Sequence, residues 1–281
     1  MVIMVGAAVR AAADQLAAVS DTARLDAELL MAHALGITRS GLLLRHMRDP
    51  APDSFAALVE RRMAHEPVAH IVGEQEFYGR SFTVTPDTLI PRGDSEAVVE
   101  AALEACPKPR TVLDLGTGTG CLLLTVLAEC PAATGMGVER SNKARAVAVA
   151  NARALGLSDR ADMVGRDWTK AGWRDGLGRF DLVLSNPPYV EEDADLAPSV
   201  RAHEPGEALF AGPDGLDDYR LLIPQLPDLL TEGGVAVLEI GATQADAVSS
   251  LAEKAGFAVG LRRDLAKRPR ALILTMPLRS N

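Results

Sequence analysis

Aromatic residues make up only 4% of the 281-residue chain, so it offers no row of flat rings on which successive nucleic-acid bases stack. Positive charge is also in short supply. Lys and Arg total 29 against 38 Asp and Glu, giving a formal net charge of −9. An acidic chain lacks the electrostatic footprint of a nucleic-acid binder, and no direct nucleic-acid partner is expected. The three cysteines (Cys106, Cys121, Cys130) and five scattered histidines (His33, His46, His65, His70, His203) show no metal-ligand spacing, so no metal is expected. An odd cysteine count with no pairing logic points to reduced thiols and a cytoplasmic setting. No apolar run is long enough to span a bilayer: the stretch from Met1 to Val9 stops at Arg10, and no cleavage-site pattern follows it. No membrane partner is expected, and a monomer is.

What is present is an ordinary globular composition, 48% hydrophobic with a mean hydropathy of +0.08, on a chain long enough for two domains. Residues 1–70 are rich in Ala and Leu and predict a small helical domain for recognising a protein surface. In the helix expected over Asp21–Leu35, Leu25, Leu29 and Ala32 share a face, Ser20 or Asp21 supplies the cap, and Gly36 ends it. A second helix is expected from about Ser54 to His65. Residues 71–92 read as a linker, with a β-hairpin turning at Tyr78-Gly79-Arg80. A third domain segment, 93–281, opens with a helix at Asp94-Ser95-Glu96 and then alternates. Strands are expected near 111–115, 134–138, 161–164, 180–185, 235–240, 257–262 and 271–276, with helices between most of them. Such alternation implies an α/β fold with a mostly parallel seven-stranded sheet.

Two motifs carry chemistry. Thr111-Val112-Leu113-Asp114-Leu115 reads as a buried strand, followed by Gly116-Thr117-Gly118-Thr119-Gly120 and a helical run. Strand, glycine loop and helix form a nucleotide-binding turn. The G-x-G-x-G spacing differs from the G-x-G-x-x-G of a dinucleotide site, which argues against a nicotinamide oxidoreductase. Glu139 lies 23 residues past Gly116, after the next strand, where an acid meets ribose hydroxyls. The second motif, Asn186-Pro187-Pro188-Tyr189, ends an apolar strand. An Asn side-chain carbonyl and the Pro187 carbonyl together accept both hydrogens of a planar NH2 group and point its lone pair out of plane. Tyr189 adds a stacking face, and the prolines stiffen the turn. Gly116, Glu139, Asp167 and Asn186 each follow an expected strand, and so fall on one sheet edge.

Together these motifs resemble a class I S-adenosylmethionine-dependent methyltransferase, and more narrowly the protein-(glutamine-N5) methyltransferases of peptide-chain release factors, the HemK/PrmC family. Glu66 to Gly73, Glu76-Phe77-Tyr78-Gly79, Leu89-Ile90-Pro91-Arg92, Asp167-Trp168, Glu204-Pro205, Gly215-Leu216 and Glu239-Ile240-Gly241 are also similar to that family. Gly93 stands where the family usually has proline, Ser95 where it has threonine, and Glu139 where aspartate is commoner. Lys267 and Pro269 interrupt a stretch that is usually Gly- and Asp-containing. The resemblance implies a Rossmann-like methyltransferase domain and S-adenosylmethionine as cofactor, released as S-adenosylhomocysteine. Asp114, Gly116, Thr117, Gly118, Thr119 and Gly120 would line it. Glu139 would hold the ribose, Asp167 the adenine amino group, and Trp168 would pack on the ring. Asn186, Pro187, Pro188 and Tyr189 would hold the glutamine amide of a class I release factor, in its Gly-Gly-Gln motif, so tuning translation termination.

Rival readings remain at this point. The same tetrapeptide suits the exocyclic amine of adenine in DNA or RNA, and a glutamine of a ribosomal protein suits it equally. Residues 191–218 carry nine acids and one arginine, a stretch that repels a phosphate backbone and reads equally as a surface for a basic polypeptide loop or as a solvated acidic loop. A module that merely binds cofactor and partner has no need of Asn-Pro-Pro-Tyr.

Overall fold

The computed structural model describes residues 2–277, in two compact units: residues 2–74 with 196–203, and residues 75–195 with 204–277. The first is helical. α1 (Val5–Leu16) and α2 (Ala23–Leu35) precede a short α3 (Arg39–Gly41), a π-turn over Leu42–His46, α4 (Phe55–Met63) and α5 (Val68–Val72). Val5, Val9, Leu16, Leu30, Met31, Leu42, Phe55 and Val59 form its core. α2 ends at Gly36, left-handed at φ 65°, as the sequence predicts. Its inner face differs from the expected one. Leu25 is 39% exposed, while Ala27, Leu30 and Met31 are buried, together with Asp26 and Glu28. Two buried acids are tolerated because each is paired: Asp26 Oδ2 with Arg62 Nε at 2.8 Å, and Glu28 with Arg24 (2.5 Å) and Arg39 (2.8 Å). Neither Ser20 nor Asp21 caps the helix. The N-cap is Thr22, without a side-chain cap bond, because the Ser20 and Thr22 hydroxyls donate to Asp26 instead (2.7 and 2.9 Å).

The second unit begins with the hairpin β1 (Glu74–Phe77) and β2 (Arg80–Thr83). Tyr78 and Gly79 both take positive φ, 51° and 71°, the primed two-residue turn whose twist matches that of the strands. α6 (Glu96–Ala105) follows a 3₁₀ turn at Gly93–Ser95. Then come β3 (Thr111–Leu115), α7 (Cys121–Glu129), β4 (Thr134–Glu139), α8 (Asn142–Ala154), β5 (Ala161–Gly165) and β6 (Phe180–Ser185). After α9 (Pro198–His203), which belongs to the first unit, the chain runs through α10 (Asp217–Leu222), α11 (Leu226–Leu229), β7 (Leu230–Glu239), α12 (Ala245–Lys254), β8 (Ala258–Arg263) and β9 (Pro269–Thr275). The seven strands order as β5-β4-β3-β6-β7-β9-β8. Only the pairings of β9 are antiparallel. β3, β6 and most of β7 are buried almost throughout, as strands covered on both faces must be. α7 is apolar all round, and Leu122 to Leu127 are all buried. No helix among the described residues is long and apolar enough to cross a membrane.

The unusual C-terminal residues have a physical account. Lys267 sits at φ 65° in the turn between β8 and β9, a left-handed conformation that costs a side-chain-bearing residue roughly 1 kcal/mol and costs glycine nothing. Pro269 is the first residue of its strand, opposite a register shift at Arg262/Arg263, which is where a strand tolerates a missing N–H. Lys267→Gly should therefore raise the thermal midpoint by about 2–4 °C, read by calorimetry. An unchanged or lower midpoint would show the turn to be unstrained.

Candidate active site

β3 lies inside the sheet next to the central strand β6, with β4 and β5 on one side and β6, β7, β9 and β8 on the other. The chain direction of winding reverses there, and a crevice opens at the carboxyl ends of β3 and β6. The register sets the level: Leu115 pairs with both Val138 and Ser185, so Gly116, Glu139 and Asn186 emerge side by side. The Ser185 hydroxyl ties β6 to β3 by donating to Leu115 O at 2.8 Å.

The glycine loop lies close against the edge of β4. The Gly116 and Thr117 N–H groups both donate to Val138 O (2.9 and 3.0 Å). Gly116, Gly118 and Gly120 have φ of 74°, 55° and 83°. A Cβ on Gly116 would stand 2.9 Å from Trp168 Cη2, so bare backbone is required under the indole. Asp114 is 1% exposed. Its Oδ2 accepts the Thr117 hydroxyl at 2.6 Å, and its Oδ1 has no hydrogen-bond partner among the described residues. Burial pushes this carboxyl up to about 7, and the nearby Glu139 charge adds to the effect. Glu139, 9% exposed, is held by two backbone donors: Gly118 N–H to Oε2 at 3.0 Å and Ser141 N–H to Oε1 at 2.8 Å. The Trp168 ring is fixed by its Nε1–H, which donates to Asp218 Oδ1 at 2.7 Å.

Asp114, Gly116, Thr117, Gly118, Thr119, Glu139, Trp168, Asn186 and Pro188 line one pocket. The Asn186 side chain makes no hydrogen bond to the described residues of the protein, so both its polar atoms are free to meet a ligand. Four other residues singled out in the sequence are not in the pocket wall. Gly120 caps α7 in left-handed conformation. Asp167 Oδ1 accepts the Thr169 N–H and hydroxyl (2.9 and 2.7 Å). Pro187 is buried within the turn, bonded to Pro188 of the wall. The Tyr189 hydroxyl donates to Glu239 Oε1 at 3.2 Å, and burial first, then that carboxylate, push the phenol well up.

The opposite wall carries residues that have no expected site role in the sequence. Ile90, Pro91, Arg92 and Ser95 face the pocket, as do Pro205, Glu207 and Ala208. The buried Glu204 clamps the two segments: it accepts the Ile90 N–H at 3.1 Å and pairs with Arg92. Arg140, after β4, fastens the other end by donating to Glu207 O at 2.8 Å. The Leu89 to Arg92 and Glu204-Pro205 matches to the family were the available signal. The acidic stretch is thus partly internal. Glu204, Glu207, Asp214, Asp217 and Asp218 have side-chain partners, while Glu191, Glu192, Asp193 and Asp195 are exposed. No histidine lines the pocket. Cys121 does, but burial pushes its thiol up to about 12, so it is no nucleophile at neutral pH.

Residues 7–73 match the family described as the PrmC N-terminal domain, and residues 95–202 match the methyltransferase small domain. A release factor glutamine methyltransferase of Cereibacter sphaeroides is 48% identical over 279 residues, covering 96% of this chain and 98% of that one. Its counterpart in Caulobacter vibrioides is 41% identical, over 90% and 89% of the two chains. A methyltransferase structure from Pyrococcus furiosus shares the fold at a TM-score of 0.54 and 16% identity, over 78% of this chain and 98% of that one. With that identity sustained across both units, the chain belongs to the release factor glutamine methyltransferase family.

Proposed function

We propose that this protein transfers a methyl group from S-adenosylmethionine to the side-chain amide nitrogen of the Gly-Gly-Gln glutamine in class I release factors. One observation carries the reading. An unpaired Asn186 side chain and the Asn-Pro-Pro-Tyr turn stand at the sheet's winding reversal, in the same pocket as the glycine loop and Glu139. The residues fit the cofactor. The left-handed glycines leave room for backbone approach, Glu139 would accept from the ribose hydroxyls, and Trp168 would offer the adenine a fixed flat ring. The orphaned Asp114 Oδ1 suits the cationic amino group of the methionyl part. When bound, the cofactor supplies an electrophilic sulfonium methyl. The helical unit would serve to grip the protein substrate.

An amide nitrogen is a poor nucleophile because its lone pair is delocalised into the carbonyl. The turn's work is positional. Asn186 Oδ1 and the Pro187 carbonyl each accept one N–H of the glutamine, which fixes the amide plane and turns the nitrogen's face toward the methyl. Such placement is worth up to ~7–11 kcal/mol of the barrier. With no histidine in the wall and Cys121 held neutral, the excess proton leaves to water after transfer.

Asp114 gives this reading a pH signature. Its carboxyl sits near 7, above its ordinary value of 3.8, so in the folded protein it is neutral in acid and charged above about pH 7. A raised acid stabilises the fold fully below about pH 4, and that contribution is lost as pH rises through about 7. Binding of a cationic amino group has the opposite preference, since it needs the carboxylate. Cofactor affinity should therefore fall by up to about tenfold per pH unit below about 7, by calorimetry. Asp114→Asn should remove that slope. At saturating cofactor, with Asp114 held charged by the bound ammonium and no histidine in the pocket wall, the chemical step should stay nearly flat from about pH 6.5 to 8.5. A cofactor affinity independent of pH would remove Asp114 from the site.

The substrate test uses labelled cofactor with intact release factor. Label should enter one glutamine, and a Gln→Glu variant of that factor should take none, because a carboxylate has no nitrogen to receive the methyl. A free peptide should react poorly, having lost the remote contacts that drive the reaction. Efficient labelling of DNA or RNA at low salt, with intact release factor left unlabelled, would overturn the proposal.

A further inference from the structure

We propose that Glu239 is a positioning residue of this site: its buried carboxylate holds the Tyr189 hydroxyl and so fixes the end of the Asn-Pro-Pro-Tyr turn against the reacting amide. The inference rests on the reading above. Glu239 ends β7, and the pairing of Leu238 with Ser185 brings it out level with Asn186 on the neighbouring strand. It is 1% exposed. Oε1 accepts the Tyr189 hydroxyl at 3.2 Å, while Oε2 has no hydrogen-bond partner among the described residues.

A buried carboxylate with an unpaired oxygen is costly to keep. Its cationic neighbour does not offset that cost in a direct pair. Arg270 Nη2 is engaged by Asp94 at 3.0 Å and Asp264 at 3.6 Å. The groups facing Glu239 are Ser95, Tyr189, Arg270 and Asp94, and its carboxyl is raised because burial outweighs the Ser95, Arg270 and Tyr189 contributions. Removing the carboxyl alone would leave the Tyr189 hydroxyl without its acceptor, so the group's place here is as the partner of that phenol. What the carboxylate does is grip a phenol. It is itself held rigidly, for the Glu239 carbonyl accepts the buried Tyr219 hydroxyl at 2.7 Å. The other end of Tyr189 is also pinned: its carbonyl accepts from Gln244 Nε2 at 3.0 Å, and the same amide donates to Gly215 O at 3.2 Å. Held at hydroxyl and carbonyl, the tyrosine has one pose. Freed at the hydroxyl, the ring swings and the turn's last residue moves with it.

The experiment compares Glu239→Leu, Glu239→Gln, Tyr189→Phe and the double variant Glu239→Leu/Tyr189→Phe in single-turnover methylation of intact release factor. Glu239→Leu and Tyr189→Phe should each slow the chemical step roughly 10- to 100-fold, with cofactor affinity by calorimetry within a few-fold of wild type. The double variant should be no slower than the worse single, because the two residues act as one unit. Glu239→Gln keeps an acceptor oxygen and should recover most of the rate. Losses that multiply in the double variant, or a folded Glu239→Leu at wild-type rate, would overturn the proposal. A readout free of the substrate assignment accompanies these. With 3-fluorotyrosine at the three tyrosines, the Tyr189 fluorine signal, identified by its absence in Tyr189→Phe, should shift and broaden in Glu239→Leu and return in Glu239→Gln. An unmoved signal defeats the Glu239 assignment even where release factor methylation is confirmed. A moved signal without any methylation of release factor would fault the substrate reading alone.

Discussion

Replacing Asn186 with alanine should slow single-turnover methylation by at least ~100-fold while leaving cofactor affinity within a few-fold of wild type. The size follows from what the side chain does. Its amide makes no hydrogen bond to the described residues, and it lines the pocket at the end of β6, so removal takes no support from the fold. On the proposed function, what is lost is one of the two acceptors that would hold the glutamine amide in plane, and a misplacement of about 1 Å in a reacting pair costs ~100-fold. Asn186→Asp is an informative companion. It keeps an acceptor but adds a charge beside the reacting nitrogen and removes the Asn186 NH2 donor, so it should recover only part of the rate. The urea midpoint should stay near wild type for both variants. A near wild-type single-turnover rate for Asn186→Ala would end the amide-clamp assignment.

Much of this arrangement is legible in the sequence because the relevant residues terminate strands. Gly116, Glu139 and Asn186 each follow an apolar run, and in a parallel sheet every such end lies on one edge. The strands are short and rich in buried Leu and Val, so their positions are readable to within a few residues. β7 is the exception: it begins at Leu230, ahead of the expected residue 235, because Leu230 pairs with Phe180 across a register shift. What sequence cannot display is pairing across long separations. Glu204 meets the Ile90 N–H and Arg92 more than a hundred residues away, and Asp218 meets Trp168 across fifty. Read along the chain, these carboxylates look like an acidic surface for a basic partner. In space, five of the nine hold the walls or each other's loops together. Glu207, Asp214 and Asp217 are exposed but ion-paired, and Glu191, Glu192, Asp193 and Asp195 make up the rest of the exposed acidic face after the turn. The inner face of α2 has the same origin. Of Leu25, Leu29 and Ala32, which share one helical face, only Ala32 is buried, while Asp26 and Glu28 are buried because Arg62, Arg24 and Arg39 pair with them.

The Glu139→Ala variant should bind S-adenosylmethionine roughly 10- to 150-fold more weakly than wild type. The lower figure corresponds to about 1.5 kcal/mol and the upper to about 3, the range for losing a charge-assisted hydrogen-bond partner. Two effects combine. The Glu139 carboxylate has spare lone pairs beyond the two backbone donors it already accepts, which on the proposed function would meet the ribose, and alanine has none. Glu139 also holds the Gly118 and Ser141 N–H groups at 3.0 and 2.8 Å, so its loss unpins the middle of the glycine loop and the start of α8. These effects separate by comparison with Glu139→Asp. Aspartate keeps both oxygens on a shorter arm, so it can hold a ribose while reaching only one backbone donor well, and its loss should be a few-fold. Glutamine retains one acceptor and places an NH2 where an N–H already points, so Glu139→Gln should resemble alanine more than aspartate. Calorimetric titration of each folded variant decides the matter. Unchanged cofactor affinity in Glu139→Ala would remove this residue from the binding site and leave Glu139 as a pin for the loop alone.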